Sequence, residues 1–172
     1  MKLPAGIEKH KKAICKNWTE QVLRTYPAQT AEIFIKEKDR FANPVAGSLS
    51  ESLEKVMDGL IHNASGQELA AAIDPAIRVR AVQNFSSSEA VRFIFFLKEI
   101  IPEVIGSKNL LAEDWTWLDQ KVQELALIGF DKYVECREKI FELRAFEVRN
   151  RTFRAFERAG LVKDSPHPAP ES

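Results

Sequence analysis

The sequence predicts an all-α protein, and three observations support this fold class. Apolar residues recur at spacings of three and four along most of the chain, which is the period of an amphipathic helix. No segment alternates apolar and polar residues over the length of a strand. Only 7 glycines and 8 prolines occur in 172 residues, and three of the prolines lie in the C-terminal sequence KDSPHPAPES. With 45% hydrophobic and 29% charged residues, the composition is that of an ordinary globular domain.

Charge and cysteine content exclude several classes of protein. Lysine plus arginine equals aspartate plus glutamate at 25 each, so no net field attracts nucleic acid or an anionic membrane. Cys15 and Cys136 form neither a CxxC motif nor a disulfide framework. The N-terminal sequence MKLPAGIEKHKKAICKNW lacks the apolar core of a signal peptide, and the apolar stretch 93–105 contains three charges and is too short to span a bilayer. We therefore expect a cytoplasmic protein without membrane insertion.

The first three helices are predicted from apolar stripes and start signals. A helix over residues 5–25 carries the stripe Ile7, Ile14, Trp18 and Val22. A short helical piece follows Pro27. Asn43 is a good N-cap residue and Pro44 suits a first helical turn, so a third helix begins there. Its buried stripe is expected to contain Val45, Leu49, Leu53, Val56 and Leu60.

The next two helices begin at capping boxes. Ser65 with Glu68, and Ser86 with Glu89, both match the pattern in which a serine and a glutamate three residues later satisfy each other's backbone N–H groups. Pro75 removes a donor, so we expect it to break or restart the helix, with AIRVRAVQN as a fresh helix. The helix over residues 87–105 is apolar nearly all round, which predicts that it lies at the centre of the domain.

The last helix is predicted to start at a cap on Asp114 and to run to about residue 159. It carries two apolar stripes, which indicates two partners: the core of the domain and a second surface. The first stripe contains Leu118, Val122, Leu125, Gly129, Tyr133, Cys136, Ile140 and Leu143, and the second contains Leu127, Phe130, Val134, Phe141, Ala145 and Val148. At about 1.5 Å per residue this helix would extend about 65 Å, so either Gly129 interrupts it or its C-terminal half forms an interface. We expect a homodimer with Phe141, Val148, Phe153 and Phe156 in that interface.

Three motifs carry a family resemblance: FANPVAGSLSESLEKVMDGL, IRVRAVQNFSSSEAVRFIFFLKEI and LIGFDKYVECREKIFELRAFEVRNR. They resemble the N-terminal sensor domain of RsbR- and RsbRD-type regulators, the stressosome co-antagonists of the kinase RsbT. The resemblance implies a globin-like helical domain without haem, usually dimeric, over residues 1–160. Residues 161–172 are then expected to be a disordered tail. In fuller members a STAS domain follows, and none is expected here. The resemblance therefore implies a non-enzymatic sensor or adaptor that binds a protein partner in a regulatory or respiratory system.

Arg78, Arg80 and Gln83 are the candidate polar site. On a helix the two arginines diverge by about 200°, so one can face inward while the other faces water. In one interpretation the inward arginine and Gln83 are a structural anchor that pairs with helix-end carbonyls or with a carboxylate such as Asp74 or Asp131. In the other interpretation they form an anion or ligand pocket.

Five aromatic residues are expected to fill the core or to line a cavity in it: Phe93, Phe95, Phe96, Phe130 and Tyr133. A filled core favours a sensor or adaptor. A cavity of about 300 Å³ or more favours the alternative, a carrier or sensor that binds a small apolar ligand or cofactor.

No residue pattern predicts a cofactor, a metal site or catalysis. His10, His62 and His167 do not lie on an apolar stripe inside a helix, where a haem ligand would be needed. A di-iron bundle requires two E-x-x-H motifs, and the sequence has none. Phosphate loops and nucleophile elbows are also missing. Between residues 144 and 158 arginines alternate with phenylalanines, which favours a protein interface over a nucleic-acid one.

Overall fold

The computed structural model describes residue 4 and residues 6–36 and 43–161. In these residues it contains α-helices and two short 3₁₀ segments but no strand, which confirms the all-α prediction. The helices are α1 (Ile7–Leu23), α2 (Ala28–Lys36), α3 (Pro44–Ile61), α4 (Gly66–Val82), α5 (Ser87–Arg92), α6 (Leu97–Ile105) and α7 (Ala112–Arg158). The long C-terminal helix is confirmed, and the globin-like arrangement stays a prediction.

The core is built where α1 packs against α3 and α6, and α3 packs against α4. The predicted stripe of α1 is fully buried, and in α3 only Val45 of the predicted stripe is half-buried rather than buried. Asn43 caps α3 as predicted, because its side-chain oxygen accepts a hydrogen bond from Ala46 N at 3.1 Å. No helix of the described residues has the length and apolar content that crossing a membrane requires.

The predicted break at Pro75 is wrong, because Gly66–Val82 is one helix with this proline inside it. The capping box of Ser65 and Glu68 starts the helix as predicted. Apolar residues on both sides of the proline are buried, namely Leu69, Ile73, Ala76 and Ile77. In the turn before the proline, the Ser52 hydroxyl of α3 donates to Ala72 O at 2.6 Å. Burial and this added hydrogen bond offset the donor that the proline lacks.

The predicted helix over residues 87–105 is present but changes its winding in the middle. The capping box of Ser86 and Glu89 opens α5, and a 3₁₀ segment over Phe93–Phe96 then leads into α6. The N–H group of Leu97 bonds to Ile94 O, three residues back, while Trp18 Nε1 of α1 donates to Phe93 O at 2.7 Å. Because the Phe93 carbonyl accepts a hydrogen bond from the indole of another helix, the backbone here adopts the tighter 3₁₀ pattern.

The structure corrects the start of α7 and settles its continuity. Asp114 is the third residue of the helix rather than its cap, and its carboxylate accepts from Leu111 N at 2.8 Å, which is one half of a capping box. The helix passes through Gly129 without a break. A Cβ atom at this glycine would lie 2.9 Å from Ile94 Cδ1, so the residue permits close packing.

Two compact units divide the described chain, one up to Tyr133 and one from Val134 onward. In the first unit the side of α7 that carries the first stripe is buried, from Trp117 and Leu118 to Tyr133. In residues 134–161 of the second unit no residue is buried. Of the expected tail, residues 162–172 lie outside the described residues.

Candidate functional site

Among the described residues, Arg80 is the charged side chain that is buried. It lies in the last turn of α4, and only 1% of its surface is exposed. Its Nη2 donates to Thr25 Oγ1 at 3.0 Å and to Glu89 O at 3.2 Å. One side chain therefore ties the end of α4 to the turn after α1 and to α5.

Three aromatic rings surround this guanidinium, and we call Arg80 with Tyr26, Phe85 and Phe93 the arginine cage. The Arg80 Cζ atom lies 4.3 Å from the ring centroid of Phe85, 5.3 Å from that of Phe93 and 5.6 Å from that of Tyr26. All three distances are within the range of cation–π attraction, which gains strength where water is excluded.

The cage has more hydrogen-bond donors than acceptors. Nε and Nη1 of Arg80 have no acceptor among the described residues, and the buried Tyr26 hydroxyl has no partner among them either. Burial lowers the pKa of Arg80, and Tyr26 and Glu89 partly oppose that shift. Burial raises the pKa of Tyr26, and the positive charge of the nearby guanidinium partly lowers it again. A weak hydrogen bond between the guanidinium and the Tyr26 hydroxyl helps to oppose both pKa shifts, although this contact falls short of regular hydrogen-bond geometry.

The Glu89 carboxylate is occupied elsewhere. Its Oε2 accepts from Ser86 N at 2.9 Å and from Ser86 Oγ at 2.6 Å, as the second capping box requires. These hydrogen bonds lower the pKa of Glu89 and hold the carboxylate at the surface. Arg80 thus bonds to the backbone of Glu89 and not to its charge.

Arg78, Arg80 and Gln83 do not converge on one site. Arg78 is exposed and pairs with Asp74 at 2.9 Å along the surface of α4. Gln83 is exposed at the end of the same helix, where its backbone N–H donates to Val79 O at 3.2 Å. Sequence reasoning missed Thr25 and Tyr26 as neighbours of Arg80, because only the tertiary fold joins residues 55 positions apart.

The expected core aromatics divide between core and surface. Phe93 and Tyr133 are buried, and the Tyr133 hydroxyl donates to Phe85 O at 2.6 Å. Phe96 is half-buried. Phe95 and Phe130 were expected in the core but are 42% and 45% exposed. Phe130 follows Gly129, which faces Ile94 and its neighbours, and one residue turns a helix by about 100° away from that side.

A second candidate surface lies within residues 134–159 of α7. Phe141 is 55% exposed and Val148 is 59% exposed, Phe156 is also exposed, and Phe153 is half-buried. Phe141 and Val148 continue a row with a seven-residue repeat, which we call the α7 seam: Val134, Glu138, Phe141, Ala145, Val148, Thr152, Ala155 and Ala159. Alternating spacings of four and three are the pattern of a coiled coil.

Two grooves on the described surface have a volume of about 510 Å³ each. The first groove is lined by residues of α1 and α3, among them Lys11, Cys15, Thr19 and Glu54. The second groove is lined by residues of α7 from Phe146 to Arg158, most of them polar. Neither is lined by the core aromatics or by the arginine cage. In the described residues no group of three or more histidine, cysteine, aspartate or glutamate side chains could hold a metal ion.

Comparisons with known proteins identify relatives of this chain. The family model described as the RsbT co-antagonist protein rsbRD N-terminal domain matches residues 12–148. A protein of Archaeoglobus fulgidus, described as uncharacterized, is 30% identical over 140 residues, which cover 80% of this chain and 83% of the relative. No solved structure matches the chain.

Proposed function

The chain belongs to the family of RsbT co-antagonist protein rsbRD N-terminal domains, a regulatory signalling family, and from this premise we propose that it is a non-enzymatic sensor or adaptor domain that acts as a homodimer. The dimer forms along the α7 seam, and the same end of the helix passes the signal to a protein partner. The observation that carries this proposal is the exposed, regularly spaced and mainly apolar row of residues 134–159, whose one charged member is Glu138.

The apolar side chains of the seam offset the cost of association but do not by themselves set the affinity of the dimer. Burying a large apolar side chain stabilises by about 1.5–3 kcal/mol, and the seam offers Phe141 and Val148 from each copy. Their sum of about 6–12 kcal/mol is comparable to the roughly 4–15 kcal/mol that association costs. The small residues Ala145, Thr152 and Ala155 permit close approach but add little burial. The seam side chains therefore about offset the cost of association, and a micromolar dissociation constant requires about 8 kcal/mol more from the flanking contacts of α7.

The charged residues beside the seam favour a parallel arrangement. One flank carries Arg137, Arg144, Arg151 and Arg158, and the other carries Glu135, Glu142, Arg149 and Phe156. In a parallel pair the two different flanks face each other, so Arg137 approaches Glu142 of the second copy. Arg144 then faces Arg149, which weakens the pair. An antiparallel pair is worse, because each arginine flank would face another arginine flank along its whole length.

Sedimentation at micromolar concentration tests the dimer. The wild type is expected to sediment at about twice its chain mass of 19.5 kDa. Phe141→Glu and Val148→Glu should each weaken the dimer at least tenfold, since they place a charge in the seam. Leu143→Glu is the matched control: Leu143 is 46% exposed but lies about 200° around the helix from Phe141. A monomeric wild type, or equal weakening by the control, would contradict the proposed seam.

Cross-linking tests the parallel orientation. In a variant in which Cys15 and Cys136 are replaced by serine, Val148→Cys and Ala155→Cys are introduced one at a time. A parallel dimer places each introduced thiol next to the same thiol of the second chain, so both variants form disulfide-linked dimers under mild oxidation. An antiparallel dimer can do so at only one position, the one near its two-fold axis.

The alternative function, a carrier of an apolar ligand, is not favoured by any observation. Both grooves described above are lined mainly by polar and charged side chains, and Phe93 fills the core next to Trp18 at a ring-centroid distance of 6.0 Å.

A further inference from the structure

We propose that the arginine cage is a binding site for a small monovalent anion, held by Arg80 and by the hydroxyl of Tyr26. The inference goes beyond the proposed function, and it does not depend on the dimer, since every residue of the cage lies in the first unit. It supplies a chemical class of ligand for the domain.

The first argument is charge balance. Arg80 is 1% exposed, and both of its hydrogen-bond acceptors are uncharged oxygens, one a threonine hydroxyl and one a backbone carbonyl. A buried charge is costly unless an opposite charge is paired with it. Among the described residues no carboxylate hydrogen-bonds to Arg80, and that of Glu89 is held by Ser86. An anion would supply the missing charge.

The second argument is the count of donors. A guanidinium has five N–H groups, and the two of Nη2 suffice for Thr25 and Glu89. The N–H groups of Nε and Nη1 are left without an acceptor among the described residues, and the Tyr26 hydroxyl lies nearby in the same condition. The Tyr26 oxygen can accept weakly from the guanidinium, but its own proton and the remaining N–H groups of Nε and Nη1 still lack an acceptor among the described residues. A buried donor without an acceptor costs about 1–3 kcal/mol. An anion accepts from several donors at once.

The shape of the cage limits the ligand to a small ion. The rings of Phe85, Phe93 and Tyr26 crowd around the guanidinium, and an acceptor must approach an N–H group roughly in the plane of the guanidinium. Neither of the large grooves extends to the cage. One buried positive charge matches one negative charge. Chloride, nitrate and formate are small and carry the one negative charge that Arg80 balances, whereas sulfate and dicarboxylates carry a second charge that the cage leaves unbalanced.

Thermal unfolding at constant ionic strength tests the site. The sodium salts of chloride, nitrate and formate are compared with sodium gluconate, whose anion is too large for the cage. At a concentration 100 times its dissociation constant, a bound anion should raise the Tm of the wild type by about 5–10 °C relative to gluconate. Tyr26→Phe keeps the ring and removes one donor, so it should weaken the response several-fold. Arg80→Lys keeps the charge without the forked donors and should abolish it, whereas the surface variant Arg78→Gln should respond like the wild type.

A direct measurement keeps the inference falsifiable if Arg80→Lys fails to fold. Titration calorimetry of the wild type, Tyr26→Phe and Arg78→Gln with the most stabilising anion should show one site per chain, weakened only in Tyr26→Phe. Equal Tm shifts in all variants would reveal a general salt effect and overturn the site. So would a wild type without any anion response.

Discussion

The two halves of α7 carry the same apolar periodicity and have opposite exposures. Up to Tyr133 the row through Leu118, Val122, Leu125 and Gly129 is buried, whereas from Val134 onward Phe141 and Val148 are more than half exposed. Both rows repeat at the spacing that predicts a buried helix face. The difference teaches that periodicity identifies a face to be covered but not whether the same chain covers it.

Gly129 lies in the first half of α7, which is buried against other residues of the same chain. A Cβ atom there would lie 2.9 Å from Ile94 Cδ1, 3.5 Å from Ile77 Cδ1 and 3.7 Å from Ile73 Cδ1. Glycine costs helix stability of about 1 kcal/mol relative to alanine, so its presence inside a helix has a packing reason. In the described part of the second half no glycine occurs before Gly160, which follows the end of the helix.

The largest effect is expected at the buried charge of the first unit. Arg80→Ala should lower the free energy of unfolding by about 2–4 kcal/mol, because the loss of two hydrogen bonds and three ring contacts, with the cavity left behind, outweighs the relief of a buried charge without a charged partner. Urea unfolding measures the change. Arg78→Ala is the matched control, since its exposed ion pair with Asp74 should contribute less than about 1 kcal/mol. Equal losses in both variants would show that the cage adds nothing to stability.

The helix boundaries and caps could be predicted from sequence because they are local. Asn43, Ser65 and Ser86 cap helices as predicted, since each bonds to a backbone group three residues away. The predicted cap at Asp114 was misplaced by three residues without any distant contact, and two other predictions failed where a distant group intervened. The Ser52 hydroxyl donates a hydrogen bond to the turn before Pro75, and the Trp18 indole donates one to the carbonyl of Phe93. The arginine cage was missed for the same reason, since Tyr26 and Arg80 meet only in the folded chain.

The next effect separates the two halves of α7 directly. Gly129→Leu should destabilise the first unit by about 1–3 kcal/mol, because the added side chain collides with Ile94. Ala145→Leu places the same side chain on the exposed seam and should leave the unfolding of the first unit unchanged. In the proposed dimer it should strengthen association, by up to about tenfold in the dissociation constant. Urea unfolding and sedimentation on both variants report the two outcomes separately.

If Gly129→Leu costs nothing, the close approach of Ile94 does not constrain this position. If Ala145→Leu weakens association, the seam does not pass through residue 145. The exposed counterpart of the buried row would then lie on another face of the second half of α7.

Thiol reactivity gives a smaller contrast between the same two units. Burial raises the pKa of Cys15 to about 11, while the neighbouring Lys11 opposes that shift. At pH 8 almost none of this thiol is thiolate, and it is also shielded from reagents. Cys136 is half-buried. With an aromatic disulfide reagent we expect one fast thiol per chain and a second that reacts at least tenfold more slowly until urea is added. Cys136→Ser should remove the fast phase, and retention of that phase would show that Cys15 is accessible in the native protein.

The smallest effect is a pH dependence at the two capping boxes of the first unit. Hydrogen bonds from Ser65, led by that of its backbone, lower the pKa of Glu68, and those from Ser86, led by that of its hydroxyl, lower the pKa of Glu89. A carboxylate whose folded pKa is depressed stabilises above its unfolded pKa of about 4.3, and this stabilisation is lost as the pH falls through the folded pKa. Glu68→Gln and Glu89→Gln retain an oxygen acceptor and remove only the charge. The wild type should therefore be slightly more stable than either variant at pH 7, and the difference should shrink towards zero below about pH 4. Urea unfolding at pH 7, 5 and 3.5 measures the difference. In a Ser86→Ala background the pH dependence assigned to Glu89 should decrease but not vanish, because the backbone N–H of residue 86 still donates to the carboxylate. A difference that stays constant with pH would mean that the amide substitution, and not the charge, is responsible.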